Sequence, residues 1–98
     1  MRHAIRFHPE VKHEAAASSR WYERSRPGLG LRFEGATEQT LDAVADDPLS
    51  YGVAHRDIRA APVSGFPYAV YYRVVRGRVR VLAIYHTARD PSVWQARK

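Results

Sequence analysis

The chain has 98 residues, 45% apolar and 11% aromatic, which suits one globular domain over residues 1–98 with a single core and argues against disorder. It contains no cysteine, which excludes disulfides, thiol catalysis and thiolate metal sites, and it has no run of about 18 apolar residues that would cross a bilayer as a helix. The net charge of +6 is split unevenly: residues 1–51 carry seven basic and eight acidic groups, residues 52–98 nine basic and two acidic.

A basic C-terminal half points to an anionic partner, either nucleic acid or an acidic protein segment. Fourteen of the sixteen basic residues are Arg, whose planar guanidinium forks phosphates and carboxylates. The N-terminal MRHAIRFHPE lacks the apolar centre of a signal peptide, so a soluble cytoplasmic protein with no membrane association is expected.

Along the chain, Ala4 to His8 alternates apolar and polar residues with Ile5 and Phe7 as its bulky members, and reads as a short strand. Pro9 and Glu10 suit the start of a helix, where a carboxylate meets the positive end of the dipole. Val11, Ala15, Ser18 or Ser19, and Tyr22 form its inner stripe, with Trp21 beside it, and Pro27-Gly28 ends it. A second helix shows Phe33, Ala36, Thr37, Thr40, Leu41 and Val44 at helical spacing, with Glu34, Glu38 and Asp42 opposite, and stops at Asp46-Asp47-Pro48. The short break between the two implies a helical hairpin. Leu49 to Ala54 reads as a connector and Arg56 to Ala61 as a strand bounded by Pro62.

Tyr68 to Val75 and Val79 to His86 are dense in β-branched and aromatic residues and flank Arg76-Gly77, so they read as a tight hairpin. His86, Thr87 and Arg89 place a polar cluster at the end of an apolar strand, and Asp90-Pro91 looks like the cap and first position of a last short helix. The order β-α-α-β-β-β-α predicts an α+β two-layer sandwich, a helical hairpin packed on a mainly antiparallel sheet whose other face is open. His3, His8 and His13 form no ligand spacing with carboxylates, so no metal and no cofactor is expected.

The order β-αα-βββ, the segment IRAAPVSGFPYAVYY, the strand VRVLAIYH and the tail HTARDPSVWQAR resemble the RelE/ParE toxin superfamily, the toxin halves of bacterial type II toxin–antitoxin modules, also known as plasmid stabilisation proteins. Arg59 matches an arginine of the second strand. Phe66 to Tyr68 matches the entry to the third, and His86, Arg89 and Trp94 match the pattern H-x-x-R-x-x-x-x-W. The resemblance implies one of two activities: ParE-like inhibition of DNA gyrase by binding, or RelE-like, ribosome-dependent and metal-independent cleavage of mRNA by 2′-hydroxyl attack.

Cleavage of that kind needs a proton acceptor, cations for the phosphate and an acid for the leaving oxygen. If the chain is an enzyme, His86, Arg59, Arg73 and Arg89 are the residues expected to act. Two departures count against it: Pro67-Tyr68 stands where nuclease members carry an arginine, and the second strand offers only Asp57 in place of a glutamate. Arg59, Tyr68, Arg73, Arg78, Arg80, His86, Arg89 and Trp94 are the expected binding residues, for DNA gyrase or for the ribosome with mRNA. Whether Arg73 and His86 share a face depends on a register the sequence leaves open. The ParE-like reading is preferred, ahead of the nuclease and of a toxin fold retained as a harmless interaction module. Each toxin reading implies a cognate antitoxin whose acidic segment wraps the sheet and helical hairpin in a hetero-oligomer.

Overall fold

The computed structural model describes residues 2–98. Its elements are β1 (Ile5–Phe7), α1 (Val11–Ser25), α2 (Leu29–Asp46), β2 (Val53–His55), β3 (Ile58–Pro62), β4 (Tyr68–Val75), β5 (Arg78–His86) and α3 (Ser92–Gln95). The five strands lie in the order β1-β5-β4-β3-β2, with β1 parallel to β5 and the other neighbours antiparallel. The expected α+β sandwich is therefore present, with one strand more than the sequence suggested.

That extra strand falls in the expected connector. Val53–His55 pairs with β3 through a turn at Arg56 and Asp57, and Arg56 adopts φ of 53°. A non-glycine residue in this left-handed region carries no sequence signature, so the turn was hidden inside the expected strand, which begins at Ile58 and ends at Pro62.

The helical hairpin closes through a carboxylate. Glu23 accepts the amides of Gly28 (2.9 Å) and Gly30 (3.0 Å), and so satisfies two donors at the start of α2. At Gly30 the helices meet so closely that a Cβ would lie 2.7 Å from the Ser19 carbonyl oxygen. Ser19 donates to Gly30 O and to Glu34, which places Glu34 at the seam between the helices.

The expected stripes face the sheet. Val11, Phe33 and Val44 pack with Tyr68, Val70, Tyr72, Val79, Val81 and Ile84, and Ala15, Tyr22, Ala36 and Leu41 border this core. Tyr72 is fully buried and donates to Pro48 O at 2.6 Å, tying the end of α2 to the sheet.

The second sheet face is covered, contrary to the expectation that it stays open. Ile58, Ala69, Tyr71, Leu82, Ala83 and Tyr85 form a second apolar cluster closed by Trp94. Trp94 is 4% exposed and stacks on Tyr71 at 4.0 Å and 11°. Beyond it Arg97 donates to both carboxylate oxygens of Glu14 and to Leu82 O, so the chain end reaches back to α1. The bond to Glu14 raises the Arg97 pKa further above its ordinary value. No helix among the described residues is long and apolar enough to cross a membrane.

Candidate functional site

The site is built by a bulge. β4 and β5 pair from Val75↔Arg78 to Tyr72↔Val81 and resume at Tyr71↔Ala83, so Leu82 is an extra residue. Before it, Val79 and Val81 face the helices; after it, Leu82, Ala83 and Tyr85 lie on the Trp94 face and Ile84 faces the helices. The bulge shifts the alternation by one residue and turns His86 toward α1, where its ring lies 5.3 Å from that of Tyr68, its cross-strand partner. Arg97 holds the bulge by donating to the Leu82 carbonyl at 2.9 Å.

His86 then lines a cleft of about 570 Å³ between α1 and the ends of β4 and β5. One wall is Ser18, Trp21, Tyr22 and Arg24 from α1; the other is Pro67, Tyr68, His86 and Arg89. His86 Nδ1 accepts the Ala88 amide at 3.0 Å, so the neutral ring carries its proton on Nε2 and can donate. Arg89 is exposed, with its guanidinium 5.3 Å from the centre of the Tyr85 ring. Pro67 O accepts from the Thr87 amide (2.9 Å) and hydroxyl (3.3 Å), which zips the strand ends beneath the cleft. With Trp21 55% exposed at its rim, the cleft offers two arginines, an imidazole and aromatic surface to an anionic or planar group.

The other residues singled out in the sequence lie elsewhere. Arg73 pairs with Arg80 in register, five residues from Tyr68↔His86 and so about 17 Å along β4. It lies on the Trp94 face, with Nε 3.3 Å from Asp57. Arg73 and His86 therefore occupy opposite faces at opposite ends of the hairpin. Arg59 pairs with Tyr72 and donates to Tyr51 O at 2.6 Å, which fastens the connector after α2.

Tyr68 is buried in the core with its hydroxyl 2.9 Å from Ser18 Oγ, and Tyr71, Tyr72 and Tyr85 are likewise buried. Burial pushes the Tyr71 pKa up and that of Tyr72 up to about 12. Trp94 is spent on packing. Arg78 is exposed, and Arg80 donates to Phe7 O and Lys98 O. Of the expected residues, only Tyr68, His86 and Arg89 share the cleft. Ser18, Trp21 and Arg24 complete it and were missed, although Trp21 and Arg24 lie off the inner stripe of α1, which is the signal that could have found them.

Asp90 Oδ1 accepts the Ser92 amide at 3.0 Å in a turn leading into α3, while Pro91 rather than Asp90 takes the cap position, one residue later than its sequence suggests. That bond lowers the Asp90 pKa below the ordinary carboxylate value.

The family model for the ParE toxin of the type II toxin–antitoxin system parDE matches residues 5–91, from β1 to the residue before α3. A comparison with curated proteins finds no match. Among solved structures, the chain is similar to one from the chromosomal ParDE toxin–antitoxin system of P. aeruginosa, with a TM-score of 0.76 and 12% identity over 87% of this chain and 96% of that one. At such identity the likeness is one of fold, whereas the family match covers nearly the whole sequence. The chain belongs to the ParE toxin family of type II toxin–antitoxin systems.

Proposed function

We propose that this toxin acts by binding DNA gyrase and trapping it on cleaved DNA, and that it does not cleave RNA. The observation that carries this reading is the separation produced by the Leu82 bulge: Arg73 and His86 stand on opposite sheet faces. A nuclease needs base, acid and phosphate-binding cations within hydrogen-bond reach of one phosphodiester. Here Arg59 and Arg73 are engaged far from the cleft, and Glu14, the carboxylate that lines it, is held by both terminal nitrogens of Arg97. What remains in the cleft can bind but lacks a partner for proton removal.

The cleft is the proposed contact for the target, with His86, Arg89 and Arg24 as its polar groups and Trp21 as its exposed anchor. Aromatic and arginine side chains of this kind dominate the energetics of protein interfaces. The partner that restrains the toxin is a cognate antitoxin with an acidic segment, laid across the sheet and the helical hairpin in a hetero-oligomer. The purified protein should inhibit gyrase supercoiling and accumulate cleaved DNA. Unimpaired supercoiling at large toxin excess, with the protein shown to be folded, contradicts the reading.

A further inference from the structure

The hairpin ends in a feature the cleft does not use. β3 last pairs with β4 at Tyr72, and β1 first meets β5 at Val79, so only Val75 to Arg78 extends past both neighbours as a two-stranded ribbon tip, with His3 Nδ1 2.7 Å from Gly77 O beside it. It closes at Arg76 and Gly77, whose φ values are 54° and 75°. Around its base and tip lie Arg6, Lys12, Arg76, Arg78 and Arg80, which line two adjoining hollows of about 600 and 490 Å³ that share Arg6 and Arg80. No Asp or Glu lines either hollow. Among the described residues none of the five cations forms an ion pair with a side-chain carboxylate, whereas neighbouring Arg73 is neutralised by Asp57.

We propose that this ribbon tip is a binding site for duplex DNA, with the strands entering the major groove and the arginines held against the phosphates. The major groove admits a two-stranded ribbon. Arg78 and Arg80, two residues apart on one strand, stand about 6.8 Å apart along it, close to the step between successive phosphates. Arg6 lies beside Arg80 in register on the neighbouring strand. Arg80 is preset by its bonds to Phe7 O (3.1 Å) and Lys98 O (3.2 Å).

Two other polyanions fit less well. Duplex RNA presents a deep, narrow major groove that protein elements do not enter. An amphipathic acidic peptide needs an apolar groove for its other face, and the two hollows offer only Val75 and Phe7 as exposed large apolar residues, one in each hollow. The inference concerns the toxin and DNA alone, so it stands or falls independently of gyrase.

The test is fluorescence anisotropy of the full-length protein with a short labelled duplex DNA, a duplex RNA of the same length and a polyglutamate peptide. Four phosphate contacts give a log–log salt slope of about −3.6, which weakens binding roughly a hundredfold between about 50 and 200 mM salt. In the double variant Arg76→Gln/Arg78→Gln, both changes being at exposed positions, the slope should shallow by about 1.8 with an unchanged circular dichroism spectrum. Absent DNA binding, a double variant with the parent's slope, or equal affinity for the RNA or the peptide each overturns the proposal.

Discussion

Tyr72→Phe probes the tie between the end of α2 and the sheet. The ring is fully buried, and its hydroxyl donates to Pro48 O at 2.6 Å, so the variant leaves the ring's packing intact and strips a buried carbonyl of its donor. That costs about 1–2 kcal/mol near neutral pH, or roughly 5–15 °C in Tm for a domain of this size. The pH dependence has a definite sign. Burial raises the folded-state pKa to about 12 against an ordinary 10, so the neutral hydroxyl is favoured by folding and its stabilisation is complete below pH 10.

Above pH 10 the unfolded chain releases the proton first. Wild-type stability falls through the window from 10 to 12, by about 1.4 kcal/mol at about pH 11 and about 2.7 kcal/mol once both states are ionised. Tyr22 and Tyr71, also raised by burial, act equally in both proteins and cancel in the difference. Denaturant unfolding of both proteins at neutral pH and near pH 11 should show the gap between them narrowing toward zero. A gap of the same size at both pH values refutes the reasoning.

The two glycines of α2 should answer in opposite directions. Gly30→Ala sets a Cβ against the Ser19 carbonyl and should destabilise by about 1–2 kcal/mol, since overpacking outweighs the better helix propensity. Gly35→Ala, with nothing within 4 Å of its new Cβ, should gain up to about 1 kcal/mol, and thermal melts distinguish the two. Trp94→Ala removes the cover from the second cluster and should cost about 3–5 kcal/mol, read by urea unfolding. The double variant His86→Ala/Arg89→Ala, which alters the cleft and leaves both clusters intact, should raise the toxin concentration for half-inhibition of gyrase by about tenfold, worth about 1.4 kcal/mol.

Periodicity made the layers legible. The stripes Val11–Tyr22 and Phe33–Val44 and the paired strands around Arg76-Gly77 are local patterns, and each found its place. The features that define the site are not local in that sense. An extra residue such as Leu82 leaves the apolar run unbroken, so nothing in VRVLAIYH shows where alternation changes phase, and the face of His86 could not be read. The covered second face was missed because its cover is a single side chain, Trp94, on a helix of four residues. Arg59 and Arg73 were expected among the site's cations, whereas the hidden strand Val53–His55 and its turn bring Tyr51 O and Asp57 against them. Trp21 and Arg24 entered the cleft from a helix whose outer face carried no motif.

The most direct test of gyrase binding without RNA cleavage is to assay one toxin preparation against both targets. Incubated with gyrase and supercoiled plasmid, it should convert the plasmid to cleaved, enzyme-linked DNA, while primer extension on translating ribosomes finds no toxin-dependent cut in the mRNA. Cuts at the ribosomal A site that vanish in His86→Ala, with gyrase unaffected, would contradict the account.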